Sequence, residues 1–216
     1  MKSPNFQPRP PGAAIDMLVI HYTGMQSAQA ALERLCDPGS EVSAHYLIDE
    51  AGQVTALVDE ENRAWHAGVS SWRGQSDVNS RSIGIELANP GHEFGYRPFP
   101  AAQMAALADL AQGILSRWSI PVRNVVGHSD VAPRRKQDPG ELFDWSWLAR
   151  RGIGLWPQPA RVTIGEAAAL LAEYGYDIAD PKAALIAFQR HFRPLCCDGD
   201  ADAETLALLN GAVALL

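Results

Sequence analysis

Short, largely apolar runs separated by a helical segment are the feature that most constrains the fold of this chain. Residues 16–21, 82–87 and 122–126 each predict a short β-strand. The clearest helix runs from Pro100 to Trp118, where apolar side chains recur at helical spacing and proline suits the first turn. Strands separated by helices predict an α/β fold, with a central β-sheet flanked by helices.

Two further elements are predicted in the amino-terminal half. Residues 27–36 have the apolar spacing of a helix, and residues 45–59 form a β-hairpin around the turn Glu50-Ala-Gly-Gln. After the sheet region, the ten residues GIGLWPQPAR (152–161) contain two glycines and two prolines, which is typical of a linker. The resulting division is a first domain (1–152), a linker (153–161) and a small all-α module (162–216).

Three helices are predicted in the carboxyl-terminal module. The first begins at the capping box Thr163–Glu166 and ends at Gly175. The second opens at Asp180-Pro181, and the third spans residues 203–216. Leu185, Phe188 and Phe192 are expected in the core of this module, with His191 on its surface.

The candidate metal site combines two histidines with one aspartate. His21 is the last residue of the predicted strand 16–21, and His128 comes after the predicted strand 122–126. Asp138 lies ten residues after His128. Two imidazoles and one carboxylate leave a fourth position of a tetrahedral zinc for water, which is the catalytic pattern. Taken singly, each histidine could be a structural residue, and Asp138 before Pro139 could be a turn residue.

Five motifs then occur in an order that resembles the zinc-dependent N-acetylmuramoyl-L-alanine amidases. They are IDMLVIHYTG, VSAHYLIDEAG, AWHAGVSSWRG, RSIGIELAN and GHSDVAPRRKQDPG, within about residues 5–150. The resemblance implies the mixed-sheet fold that these amidases share with peptidoglycan recognition proteins. It also implies zinc held by His21, His128 and Asp138, with Glu86 as general base and Lys136 stabilising the oxyanion. The module, with AALIAFQRHF and CDGDADAETLALL, resembles a small peptidoglycan-binding unit.

Two details refine what this resemblance implies. Phage-type members carry a tyrosine near the position of Ala44, and its absence favours the glutamate version of the mechanism. Seven residues are expected to bind substrate, and the two histidines among them could instead act as outer donors to the metal ligands: His45, Trp65, His66, Trp72, Arg73, Asn79 and Arg81. Tryptophan is also a common core residue, so we expect at least one of the two tryptophans to be structural.

Charge and cysteine content exclude several classes of protein. The formal net charge of −7 gives no electrostatic footprint for nucleic acid. No apolar run approaches the ~20 residues of a membrane span. Three cysteines cannot all pair and no Cys-x-x-Cys spacing occurs, which favours a reducing compartment. The amino terminus has no apolar segment typical of a secretory signal, so we expect a cytoplasmic protein without a transmembrane segment. Separately, we expect a monomer.

Several functions remain open at this stage. The favoured one is hydrolysis of the bond between anhydro-N-acetylmuramic acid and L-alanine in soluble muropeptides during wall recycling. An exported amidase in the periplasm or outer membrane, acting on polymeric peptidoglycan, is the first alternative. A recognition protein without metal is the second, although all three ligand candidates are present. A non-haem iron oxygenase would use His128, Asp130 and His191, and would leave His21 and Asp138 unexplained.

Overall fold

The computed structural model describes residues 2–161 and 166–216. Its strands are β1 (Phe6–Pro8), β2 (Met17–Tyr22), β3 (Tyr46–Ile48), β4 (Val54–Ala56), β5 (Asn62–Ala64), β6 (Ser71–Trp72), β7 (Gln75–Ser76), β8 (Ser82–Leu87) and β9 (Val125–Gly127). Its helices are α1 (Ala28–Cys36), α2 (Gly91–Phe94), α3 (Ala101–Arg117), α4 (His128–Val131), α5 (Trp145–Ala149), α6 (Ala167–Tyr174), α7 (Pro181–Phe192) and α8 (Ala203–Val213).

A five-stranded mixed sheet forms the centre of the fold, in the order β4-β3-β8-β2-β9. β3, β8, β2 and β9 are parallel, and β4 pairs antiparallel with β3 as the predicted hairpin. The α/β prediction is therefore confirmed. Because the inner strands run in parallel, their carboxyl ends meet at one edge of the sheet, where an open α/β sheet places its site.

Most predicted elements are present with small differences at their ends. Ser27 caps α1 by accepting a hydrogen bond from the Ala30 amide, and Asp180 caps α7 in the same way. The strand predicted from Val122 begins only at Val125, because Val122–Asn124 forms a 3-10 turn. The capping box predicted at Thr163–Glu166 has its first three residues outside the described part of the chain, and α6 follows it.

The two faces of the sheet are buried by different helices. Along β2, Leu18 and Ile20 pack in one apolar cluster with residues of α3. The alternate residues Met17 and Val19 belong to a second cluster, shared with α6, α7 and α8. Since side chains alternate along a strand, His21 lies on the same face as Met17 and Val19. The carboxyl-terminal helices thus cover the same face of the sheet as the one from which the His21 side chain projects.

The predicted module shares its core with the sheet. The expected core residues Leu185, Phe188 and Phe192 are all buried. Ile153 and Leu155, within the predicted linker, are buried as well. The domain boundary at residues 153–161 therefore stays a prediction, and apolar packing continues across it.

The cysteines are unpaired, and no described helix is long and apolar enough to cross a membrane.

Candidate metal centre

Neighbouring parallel strands bring His21, Glu86 and His128 to one edge of the sheet. His21 of β2 lies opposite Glu86 of β8, and Ile20 lies opposite Gly127 at the end of β9. His128 follows Gly127 directly and is the first residue of α4. Residues paired across parallel strands point to the same face, so the side chains of His21 and Glu86 are neighbours.

Three ligand atoms meet at this edge. The Nδ1 atoms of His21 and His128 are 3.0 Å apart, and Asp138 Oδ2 lies 3.1 Å from the first and 3.0 Å from the second. All three side chains are buried. Ligand atoms about 2.0–2.1 Å from one tetrahedral ion stand about 3.3 Å apart, so the spacing is close to that of a zinc site.

The hydrogen bonds on the far sides of the rings leave their Nδ1 atoms free to coordinate. His128 Nε2 lies 3.1 Å from the Ala67 carbonyl oxygen and must carry the proton there, because that oxygen only accepts. In the tautomer with its single proton on Nε2, His128 presents the Nδ1 lone pair to Asp138 Oδ2, which is also an acceptor. Two acceptors at 3.0 Å repel unless a cation lies between them, and this donor set therefore fits a metal dication.

His66 contacts His21 at the ring nitrogen that faces away from the other ligand atoms. His66 Nδ1 lies 3.0 Å from His21 Nε2, while His66 Nε2 lies 3.1 Å from the Ser82 hydroxyl. Such outer partners orient a ligating imidazole and set its tautomer. His66 packs over Gly84, where a Cβ atom would lie only 2.5 Å from the His66 ring. The glycine in the SIGIEL strand is thus required by the close approach of this ring.

The electrostatics favour unprotonated ligands at neutral pH. Burial, reinforced by the neighbouring His128, lowers the pKa of His21 to about 4. Burial alone would raise the pKa of Asp138, but the two imidazoles beside it outweigh that effect and lower the pKa well below its ordinary value. His21 is therefore neutral and Asp138 ionised, which are the forms that bind a metal.

Glu86 is the second notable group of the site. Its side chain lines the cleft that contains His128 and Asp138, and Oε2 is buried with no hydrogen-bond partner. Burial, with a smaller contribution from Asp138, raises the pKa of Glu86 to about 8. A partnerless carboxylate whose pKa lies near neutrality suits the transfer of protons. Lys136 lines the same cleft.

The predicted substrate residues divide into two groups. Trp65 and His66 line the cleft, whereas the other five lie outside its lining: His45, Trp72, Arg73, Asn79 and Arg81. His45 and Trp72 are both fully buried, so the structure gives them partners inside the protein, and their substrate contact stays a prediction. Trp72 is a core residue whose Nε1 donates to Asn124, and His45 Nδ1 accepts from the Gly84 amide.

The remaining three residues bind other parts of the protein. Asn79 accepts from the amides of His66 and Ala67, so it fixes the loop that carries His66. Arg81 pairs with Asp16, and Arg73 donates to the Tyr174 carbonyl. These contacts could not be read from the motifs, because they join residues distant in sequence.

Several groups at or near the site gave no signal in the sequence. Cleft residues without a predicted role include Tyr22, Arg34, His92 and Arg135. The prediction that His191 lies on the surface is wrong: the side chain is buried, and Nδ1 lies 2.8 Å from Asp130 Oδ2. The helical pattern of α7 gave no sign that the sheet domain would cover this position.

Comparisons with known proteins find related sequences and structures. The sequence profile described as N-acetylmuramoyl-L-alanine amidase matches residues 11–141. The chain is 41% identical to N-acetylmuramoyl-L-alanine amidase AmiD of Escherichia coli, over 90% of this chain and 80% of AmiD. It is 36% identical to 1,6-anhydro-N-acetylmuramyl-L-alanine amidase AmpD of Haemophilus influenzae, over 67% of this chain and 86% of AmpD.

Two solved structures have the same fold. One is E. coli AmiD in complex with its substrate anhydro-N-acetylmuramic acid-L-Ala-D-gamma-Glu-L-Lys. It has a TM-score of 0.84 and 39% identity, and the match covers 96% of this chain and 92% of that one. The other is AmpDh3 from Pseudomonas aeruginosa in complex with an anhydromuramic pentapeptide. It has a TM-score of 0.82 and 35% identity, with 98% and 96% of the chains covered.

Proposed function

Because this chain belongs to the N-acetylmuramoyl-L-alanine amidase family, we propose that it is a zinc hydrolase, with the metal on His21, His128 and Asp138. The amide bond that it hydrolyses joins N-acetylmuramic acid to the L-alanine of the stem peptide. Zinc, when bound, lowers the pKa of water and polarises a carbonyl oxygen. The remaining chemistry falls to the side chains that line the cleft.

Glu86 is the proposed general base and acid. Its Oε2 takes a proton from the water whose oxygen attacks the lactyl carbonyl carbon, and the tetrahedral oxyanion forms. When the carbon–nitrogen bond breaks, the same oxygen returns the proton to the leaving amine of L-alanine. The products are a lactyl carboxylic acid, which ionises, and a stem peptide with a free amino terminus. The observation that carries this role is the buried, partnerless Oε2 beside His21.

Lys136 is proposed to stabilise the oxyanion. It lies two residues before Asp138 and lines the cleft, so its ammonium group can approach the carbonyl oxygen of a bound substrate. Removing one such donor typically costs about 3–4 kcal/mol of transition-state stabilisation. Arg34 and Arg135 add positive charge to the cleft, which suits the carboxylates of a stem peptide.

The proposed substrates are soluble anhydro-muropeptides. Both structural relatives described above contain an anhydromuramic peptide, and the AmpD relative is named for the 1,6-anhydro sugar. A recycling role is consistent with a reducing compartment, which we expect because the three cysteines are unpaired. The competing proposal is an envelope amidase, which draws on the resemblance of the carboxyl-terminal helices to a peptidoglycan-binding unit. Product analysis on soluble anhydro-muropeptides beside intact sacculi separates the two.

The mechanism is tested with variants of Glu86 and His128. We expect Glu86→Gln to keep stoichiometric zinc and to lose turnover by ~100-fold or more, the usual scale for a general base. His128→Ala should lose most of the metal in elemental analysis. Glu93→Gln is the matched control, because Glu93 is an exposed glutamate of the same cleft. Near-normal turnover of zinc-loaded Glu86→Gln would assign the proton transfer to another group.

A further inference from the structure

The helix that carries His128 is too short to hold its own shape. α4 contains only the four residues His128–Val131, about one turn. Forming a single turn fixes several backbone dihedrals for one hydrogen bond, so an isolated turn is unstable in water. The position of His128 must therefore be determined by contacts that α4 makes with the rest of the protein.

Asp130, in the middle of that turn, is the residue that makes these contacts. Its side chain is 1% exposed. Oδ2 accepts from the Gly127 amide at 2.7 Å and lies 2.8 Å from His191 Nδ1, while Oδ1 accepts from the Tyr176 hydroxyl at 2.7 Å. The first bond closes the turn at the residue before His128. The other two come from the carboxyl-terminal helical region.

Both carboxyl-terminal donors are held firmly. The His191 ring stacks on Trp145, with centroids 3.9 Å apart and planes 16° apart, and on Phe192 at 4.0 Å. Trp145 also packs beside Gly127, where a Cβ atom would lie 3.3 Å from the indole. Burial, followed by the charge of Asp130, raises the pKa of Tyr176 well above its ordinary value, so the hydroxyl keeps the proton that it donates.

The pattern is that of a buried carboxylate satisfied from two sides. A buried charge is costly unless hydrogen bonds compensate it, and here three donors surround two oxygens. Two of these three donors lie beyond the predicted linker. Removing either one would leave Asp130 undersatisfied, and the turn that holds His128 would relax.

We infer that Asp130, Tyr176 and His191, here called the Asp130 cluster, fix His128 in its ligating position. Tyr176 and His191 are then positioning residues of the reaction, and the carboxyl-terminal helices support the metal centre itself. This inference rests on the proposed zinc site. It assigns the helical region a role in metal retention, which is separate from any binding of wall polymer.

The test is the rate at which zinc leaves the full-length protein to a chromogenic chelator. Tyr176→Phe removes one hydroxyl, and His191→Phe removes the donor while keeping a ring between Trp145 and Phe192. We expect each variant to release zinc ~10-fold faster or more, since losing an outer partner of a metal site typically costs 10–100-fold in affinity. His191→Asn, whose amide nitrogen can replace Nδ1, should restore slow release.

Tyr174→Phe is the matched control. Tyr174 is also a buried tyrosine of the helical region, stacked near Tyr176, but its hydroxyl is not bonded to Asp130. If the effect is specific, this variant releases zinc at the wild-type rate even where its melting temperature falls as far as that of Tyr176→Phe. A general loosening of the helices would accelerate release in all variants equally and would overturn the inference.

The outcomes separate this inference from the proposed function. Wild-type protein that holds zinc and cleaves muropeptide, together with cluster variants that match Tyr174→Phe, refutes the positioning role alone. Wild-type protein that holds no zinc refutes both. Faster release in the two cluster variants, with rescue by His191→Asn, supports the inference.

Discussion

Replacing Gly84 with alanine tests how the metal centre depends on the packing behind it. The new Cβ atom would lie 2.5 Å from Cγ of His66 and 2.7 Å from its Nδ1 and Cδ2 atoms. Carbon atoms pack best at about 3.5–4.0 Å, so the ring must retreat by about 1 Å. Gly84 lies within a regular strand, and the effect of the substitution is therefore steric.

The magnitude follows from the hydrogen bonds of His66. A retreat of about 1 Å stretches the 3.0 Å contact with His21 Nε2 beyond hydrogen-bonding distance. His21 is buried, so the lost partner and the overpacking together should lower the free energy of unfolding by about 2–4 kcal/mol. Zinc affinity should fall 10–100-fold because His21 loses the partner that orients it.

Two measurements check this prediction, namely urea unfolding of the metal-free protein and competition for zinc with a chelator. Gly113→Ala is the control, since its Cβ atom would meet only the flexible end of Arg117 at 3.2 Å, on a helix that packs against the other face of the sheet. This helical substitution should leave zinc affinity unchanged and stabilise the protein by up to ~1 kcal/mol. Wild-type zinc affinity in Gly84→Ala would refute the argument that His66 orients His21.

Three further predictions concern stability. Although burial raises the pKa of Glu60, hydrogen bonds from Arg117 and two other side chains outweigh it and lower that pKa to about 2. The ionised form of Glu60 therefore stabilises the fold above about pH 4.5, and this stabilisation is lost as the pH falls toward 2. Because Arg117 is half exposed, we expect the loss to be only ~1–2 kcal/mol of unfolding free energy. Urea unfolding at pH 7 and pH 3 measures this loss, which should be absent in Glu60→Gln. Phe188→Ala, at a fully buried position, should cost ~3–5 kcal/mol in urea unfolding, and a loss below ~1 kcal/mol would mean that the helices do not share the core of the sheet. Zinc at 100 times its dissociation constant should stabilise the wild-type protein by about 2.7 kcal/mol in thermal unfolding, and an equal gain in His128→Ala would contradict the ligand assignment.

Much of the fold and of the metal centre could be predicted from local patterns. Helical spacing located α3, and spacing together with the Asp180 cap located α7, since these signals lie within or beside the elements themselves. The ligand candidates His21 and His128 are recognisable because His21 lies at the carboxyl end of one apolar strand and His128 directly follows another. Residues at the carboxyl ends of parallel strands meet at one edge of the sheet, so their proximity follows from the class of fold.

Only the tertiary structure decided which side chains are buried by distant segments. Periodicity identifies the apolar face of an element, but it does not say what covers the opposite face. His191 is predicted on the surface because the sequence of its own helix shows no partner for a buried imidazole. Its hydrogen-bond partner in the structure, Asp130, lies 61 positions away. Trp72 likewise fills the core under the carboxyl-terminal helices instead of lining the cleft. The sequence by itself therefore determined the helices, the strands and the types of metal ligand. The packing of remote segments determined which polar groups support the metal centre, because burial depends on neighbours that only the complete fold brings together.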